Sequence, residues 1–481
     1  MIDPKKAAAI AIDRAMKAGA TYADFRLVET EAESLSYADG APEEVSRSSD
    51  RGFGVRVIAG GAWGFCGSAD INEDEIDRIA RQAVEIARAS AILQTEPVKL
   101  APNEPAKDTY ATIYKIDPFS IPLNEKLEFL AHLDELSAKQ SGINSHSAFM
   151  DFRKLTEDFF SSEKAAIHQV ICQSGAGVSA TAMRSHRERA TRSFPANEGL
   201  FENRGYELLN EIDFEGNIPI ICEEAAALLD AEDCPSKTCD LVLEGSHVSL
   251  VIHESIGHPL ELDRVFGSER NFSGTSFATP DLLNKLKYGS DIINVVSDPT
   301  IPHGLGSFGY DDEGVKAHKA YLIKDGVLVN YLSSRETAAR LGLKSTGAMR
   351  ADGWGNLPLV RMTNTNLLPG KLSYDDLISG VDDGIYMQTT SSWSIDDKRE
   401  SFQFGCEMAR EIKGGKLGRL FKNPTYAGRT VEFWNSCDGI GNEKLWRVWG
   451  TPNCGKGEPG QNGRVGQGAA PARFRNIRIG V

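Results

Sequence analysis

From about residue 145 to 215 the chain alternates apolar and polar residues. A period of two over so long a stretch belongs to antiparallel strands with one face buried. Such a face needs cover, and three segments of helical periodicity offer it. Residues 3–18 place Ala9, Ile10, Ile12 and Met16 at amphipathic spacing; NEDEIDRIARQAVEIARAS follows with Asn72 positioned to cap it; LNEKLEFLAHLDELSAK forms the third. YADFRLVETE and GFGVRVIAGGAWGFCGSAD read as strands, with the glycines of the second marking a hairpin, and residues 95–123 read as a Pro- and Asn-rich loop. A short helix around EEAAALLDA runs into the polar stretch AEDCPSKTC, where we place a domain boundary near residue 235. Beyond it the chain is strand-heavy and glycine-rich, with turn signals DDEG, KDG, LPG and CDGIGN and helices only at HESIGH, SSRETAARLG and YDDLISGV. LVLEGSHVSLVIH reads as a buried strand, carrying His247, that feeds the first of these helices. The expectation is an α+β protein: an N-terminal α/β domain with a mixed or antiparallel sheet (1–235) and a C-terminal β-rich domain (236–481) bearing the HESIGH helix.

A length of 481 residues suits two domains of this size, and 41% apolar with 25% charged residues supplies ordinary cores. The net charge of −15 disfavours nucleic acid and anionic membrane surfaces. The most basic stretch, RSHRERATR (Arg184–Arg192), contains its own glutamate and no aromatic residue, so it reads as a solvated strand or loop. Asp13 and Arg14 cut the N-terminal apolar run too early for a signal peptide, and no uncharged apolar stretch approaches the roughly 18 residues of a membrane span. Eight cysteines without secretory signals point to reduced thiols in a cytosol. Cys234 and Cys239, spaced CPSKTC, read as a surface turn, and Cys66, Cys172, Cys222, Cys406 and Cys437, in or beside apolar runs, as small core residues.

The chemistry concentrates in HESIGHPLELD, residues 253–263, which nearly spells the HExxH zinc helix of many peptidases but brings its second histidine one residue late. In a straight helix, positions i and i+4 lie about 40° apart, whereas i and i+5 lie about 140° apart and cannot grip one metal. Gly257 allows the backbone to widen into a π-type turn that restores a common side, and Pro259 disfavours the α conformation for His258 and loosens the helix there. Glu254 stands where HExxH enzymes keep a general base. Two histidines and a water leave a four-coordinate catalytic zinc one protein ligand short. Glu261 and Asp263 lie across the proline as candidate acceptors that orient an imidazole. A polar role without metal stays open on this spacing, and His132, His146, His168, His186, His247, His303 and His318 read as structural.

HESIGHPLELD closely resembles the HExxxHxxExD signature of the TldD/PmbA peptidase family, in particular its metal-bearing TldD branch. The likeness extends through ADFRLVE, GFGVRVIAGGAWGF, YDDEGVKAHKAYLIKDGVL, LPLVRMTNTNLLPGK, GVDDGIYM and NCGKGEPGQ, nearly the whole chain. The resemblance implies a zinc-dependent peptidase acting on unfolded or flexible peptides, with His253 and His258 as zinc ligands and Glu254 as the catalytic glutamate. It also implies Cys454, from the family's CGK segment, as the third ligand, in a turn-rich loop where Lys456 favours the thiolate. Family members are dimers, of one chain or with a metal-less paralogue, and take peptides in extended form; it is the net charge of −15 that gives no support to a nucleic-acid or membrane partner. YDDEG and VRMTNTNLLPGK match the family and read as turns that hold the sheet, while 388–430 has no counterpart that fixes the substrate-facing walls. Two competitors differ in sequence: a dipeptidyl peptidase III-like exopeptidase shares HExxGH spacing but needs a second, glutamate-bearing helix motif absent here, and a non-catalytic subunit or binding module would lack the ligand triad.

Overall fold

The computed structural model describes residues 2–481. Its first sheet orders strands β1 (Tyr22–Ala38), β2 (Ala41–Ala59), β3 (Ala62–Ser68), β4 (Lys107–Ala111), β5 (Ser145–Ser161) and β6 (Ala166–Met183) as β3-β2-β1-β5-β6-β4, with Arg189–Phe194 and Leu200–Glu202 also paired to β6. Only the β4–β6 pair is parallel, so the period-two stretch does form antiparallel strands as far as Glu202, beyond which Glu207–Glu211 is a short helix. Four helices cover one face: α1 (Pro4–Lys17), α2 (Glu73–Ala91), α3 (Leu123–Ala138) and α4 (Phe214–Leu228). Asn72 caps α2 through a bond to the Glu75 amide, as its position in the sequence anticipates. Phe25, Phe53, Val55 and Val57 pack under α1 and α2, and Met150, Phe152 and Val178 under α3 and α4.

The opposite face carries the alternate residues, and among these Asp24, Arg26, Arg153, Glu157, Gln169 and Gln173 are polar, interspersed with Val28, Leu155 and Ile171. Instead of meeting water, this face meets the C-terminal half. Arg26 pairs with Asp312 at 3.0 Å, and Arg56 bridges Asp24 at 2.7 Å and Glu313 at 3.3 Å, all nearly inaccessible to solvent. Gln169 donates to the Tyr310 carbonyl at 3.0 Å. The YDDEG stretch therefore joins the two halves.

The second sheet uses β7 (Lys237–Leu243), β8 (Asp383–Ile395), β9 (Ser401–Lys413), β10 (Lys416–Lys422), β11 (Thr425–Arg429) and β12 (Ala472–Ile479) in the order β8-β7-β12-β11-β9-β10, and β8 also pairs with β9, closing five strands into a ring. The aromatic side chains Phe402, Phe404, Tyr426, Phe433 and Phe474 stack in its core. A hairpin of Arg447–Lys456 (β13) and Gln461–Ala469 (β14) stands beside it. The expected α+β class is what the chain adopts, and among the described residues no helix is long and apolar enough to cross a membrane.

Several local expectations change. The buried strand expected to carry His247 ends at Leu243, and helix α5 (Gly245–Ile252), capped by Glu244, begins two residues later. His247 thus lies on a helix, bonded to Thr390 and Tyr426 in the core. Its apolar neighbours fit a strand and a helix equally well, and packing inside the ring decides. Cys234 and Cys239 are buried rather than on a surface turn, and burial pushes their thiols up to about 12 and about 11. The helix at EEAAALLDA starts much earlier, at Phe214, and a short helix at Thr430–Asn435 has no clear sequence signal.

The buried Arg56 yields the first prediction. Arg56→Ala removes the cation shared by the buried Asp24 and Glu313 and should lower stability by about 3–5 kcal/mol. Urea unfolding of the two proteins checks this, and a midpoint unchanged by the substitution would contradict it.

Candidate metal centre and substrate cavity

Helix α5 does not stop at Ile252 but widens. Residues His253–Gly257 form one π turn, His258–Leu260 a tighter 3-10 turn, and the chain turns extended at Glu261. The wide turn brings the rings of His253 and His258 to 4.8 Å between centroids, nearly perpendicular. Ser255 anchors it, taking hydrogen bonds from Tyr288 on its carbonyl and from Trp434 Nε1 on its hydroxyl.

Gly257 and Pro259 act differently from the sequence expectation. Gly257 has ordinary helical angles (φ −58°, ψ −67°), so backbone freedom is not what the position requires. A Cβ there would lie 2.0 Å from Met362 Sδ, and close approach is the requirement. His258 stays α-helical (φ −58°, ψ −45°) despite the following proline, because the tight 3-10 turn and the surrounding core outweigh the local preference.

Cys454 completes the group. It lies on strand β13, not in a turn-rich loop, and its Sγ is 3.6 Å from His258 Nε2. One donor atom from each of His253, His258 and Cys454 falls within 4.8 Å of the others, and all three side chains are buried. The third donor in this group is a thiol rather than the carboxylate that the glutamate-ligated exopeptidase alternative needs. Glu261 Oε2 accepts from His258 Nδ1 at 3.0 Å, leaving Nε2 for the centre. Asp263 orients no imidazole; it accepts from Lys456 Nζ at 2.7 Å. Lys456 also lies 3.2 Å from Glu261, so its charge serves these two carboxylates rather than the thiol.

Electrostatics favour a cation here. Burial by itself raises the Cys454 thiol pKa, but the neighbouring imidazoles of His253 and His258 overcome that and hold it well below its usual value. Burial disfavours charge on His253, yet Cys454, Glu254 and Glu261 lift it to about 9. Burial likewise opposes ionisation of Glu254 and Glu261, and in both cases nearby cations and imidazoles keep the carboxyl below its ordinary range. His253 Nδ1 is buried with no hydrogen-bond partner. A thiolate, two imidazoles and an orphaned ring nitrogen form a donor set that fits a divalent transition metal, zinc above all.

The group lies on the wall of a cavity of about 490 Å³. Glu254 faces it beside Glu198, Trp393, Arg399, Trp449 and Asn453. Arg399 is bonded to Glu254 and comes from the turn between β8 and β9, in the left-handed region (φ 63°). That turn is held by the Thr275 amide on the Asp397 carbonyl (2.9 Å) and by Thr430 Oγ1 on the Arg399 carbonyl (2.7 Å). Burial raises the pKa of Glu198. Neither Arg399 nor Glu198 carries a spacing signal; each reaches the cavity only through tertiary packing.

The C-terminal domain model of the PmbA/TldA metallopeptidases matches residues 236–480, and the model of their domain 1 matches residues 23–87. The chain belongs to the PmbA/TldD metallopeptidase family. A metalloprotease of Methanothermobacter thermautotrophicus is 29% identical over 95% of both chains. A metalloprotease TldD homolog of Buchnera aphidicola is 30% identical over 91% of this chain and 88% of its own. A zinc metalloprotease TldD homolog of Saccharolobus solfataricus is 23% identical over 98% of each. Among solved structures, a Thermotoga maritima protein described as a candidate modulator of a DNA gyrase aligns with TM-score 0.78 at 16% identity over 99% of both chains. TldE of Thermococcus kodakarensis aligns with TM-score 0.71 at 15% identity over 98% of this chain and 99% of its own. These two likenesses show the family's fold.

Two predictions follow from the widened turn and its outer support. Gly257→Ala forces a methyl into Met362 and should destabilise by about 1–3 kcal/mol, with metal content below that of the parent, read by thermal unfolding and metal analysis. Glu261→Gln keeps the volume but removes the charge that orients His258, and should weaken zinc binding by about 10–100-fold in a chelator competition; equal affinity would count against that role.

Proposed function

We propose that this family member is a zinc-dependent peptidase of the HExxxH type that hydrolyses unfolded or flexible peptides, with His253, His258 and Cys454 holding the metal and Glu254 as catalytic base. The observation that carries the reading is the convergence of three donors, 196 residues apart between His258 and Cys454, beside an ionised glutamate on an open cavity. Zinc bound by these residues supplies Lewis acidity, polarising a peptide carbonyl and lowering the pKa of water. Glu254 takes the proton from the attacking water and delivers it to the departing amine. Arg399 holds the Glu254 carboxylate charged and aimed before substrate arrives.

An extended substrate suits the cavity, whose wall includes Gly450, Thr451 and Asn453 of β13. Among the described residues that strand is paired along one edge only, by β14, so a peptide can add along the other with little demand on its side chains. In this reading residues 236–481 carry the chemistry and 1–235 the scaffold. A dimer, with itself or with a metal-less paralogue, is supported by the far end of β2, where Ala41–Asp50 are exposed and β3 does not pair. Eight free thiols support a reducing compartment such as the cytoplasm, and the net charge of −15 supports no nucleic-acid partner.

The test measures zinc per chain and hydrolysis of an unstructured peptide. Glu254→Gln should retain zinc and lose about 10²–10⁴-fold in rate. Cys454→Ser should lose zinc and activity together. Full activity in Glu254→Gln would sink the mechanism, and unchanged zinc content in Cys454→Ser would remove the third ligand.

A further inference from the structure

A second cavity, about 230 Å³, shares no lining residue with the first. It lies between the polar face of the first sheet, represented by Ala32 and Arg153, and the hairpin β13–β14, represented by Pro452 and Gln461–Arg464. Four arginines line it, Arg153, Arg350, Arg361 and Arg464, against the single carboxylate of Asp352.

The guanidinium groups are held in place but incompletely paired. Arg464 Nη2 donates to Asp151 at 2.7 Å, while its Nη1 is buried without a partner. Arg350 Nη1 donates to the Arg464 carbonyl at 2.5 Å. Arg361, only 2% exposed, donates to the Gln461 and Cys454 carbonyls, and its Nε is unpartnered. The Arg153 side chain makes no hydrogen bond or ion pair among the described residues. Asp352 accepts from the Asn462 amide. The other nearby carboxyls do not compensate: Asp312 is engaged by Arg26 and the Ala351 amide, and Glu157 is pushed up to about 8 by burial and by Asp312. Burial and neighbouring like charge push Arg153 and Arg350 down to about 10, which still leaves both cationic at neutral pH. Gly463 completes the cradle, since a Cβ there would lie 2.6 Å from Arg361 Nη2.

A purely structural cluster would be expected to satisfy its buried N–H groups, because unpaired buried charge is destabilising. Guanidinium forks with free N–H groups match the lone pairs of oxyanions. We propose that this cavity binds a small oxyanion, a phosphate or carboxylate group, which pairs with the free N–H groups of Arg153, Arg361 and Arg464. The bound anion would then sit beside the residue that holds the Cys454 carbonyl, on the strand that carries a metal donor.

Calorimetric titration of the zinc-loaded full chain with inorganic phosphate, and separately with succinate, at fixed ionic strength in chloride, tests this. Saturable uptake of one anion per chain is expected, weakened by about tenfold or more in Arg153→Gln and in Arg464→Gln, with zinc content unchanged. Phosphate binding without succinate binding assigns a phosphoryl ligand, and the reverse a carboxylate. Arg153→Gln breaks no internal bond, so it carries the test if Arg464→Gln fails to fold. Binding of neither probe, or binding untouched by Arg153→Gln, overturns the proposal.

Discussion

The ionic seam between the two halves is the interaction on which the rest of the molecule depends. Arg26 and Arg56 leave the first sheet to meet Asp312 and Glu313, and the same loop reaches onward to the metal group. Asp312 also accepts from the Ala351 amide, and Asp311 from the Met349 amide. Met349 pairs with Val360, two residues before Met362, which packs on Gly257. Arg361, between them, holds the carbonyl of Cys454. Each link is short and at least partly buried, so a disturbance at the seam has a physical route to the turn that spaces the imidazoles. Buried ion pairs add little net stability over well-packed apolar residues, and their value here is in fixing one arrangement of the two halves.

Within that frame the candidate centre is a balance of opposed charges. Cys454 and His253 hold each other in unusual protonation states, while Glu261 is braced by Lys456 and turns His258 so that Nε2 faces the sulfur. Without a metal, thiolate and imidazole neutralise each other, which keeps the donors together. Arg399 brings the same logic to Glu254 from a different strand pair, across the mouth of the cavity.

Much of the scaffold was legible in advance, for identifiable reasons. The alternation over 145–215, the amphipathic spacing of residues 3–18 and the Asn72 cap are local signals, and the strands, helix and cap they forecast are present. Where several structures satisfy the same local pattern, the reading failed: His247 sits among apolar neighbours that suit strand or helix, and the glycines around Cys454 suit a turn or a twisted hairpin. Gly257 was singled out for its freedom, but it matters for the space that Met362 occupies, a fact held by a residue 105 positions away.

The sequence by itself determined the secondary-structure rhythm, the α+β class and the crowding of histidine, glutamate and proline into HESIGHPLELD, because these depend on neighbours within one or two turns of chain. Only the tertiary structure decided that Cys454 meets His258, that Arg399 and Glu198 face the same cavity as Glu254, that Asp263 serves Lys456 rather than an imidazole, and that four arginines share a cavity with one carboxylate. Those contacts close loops of tens to hundreds of residues. Their free energy comes from burial and charge pairing across the fold, and no local spacing encodes it.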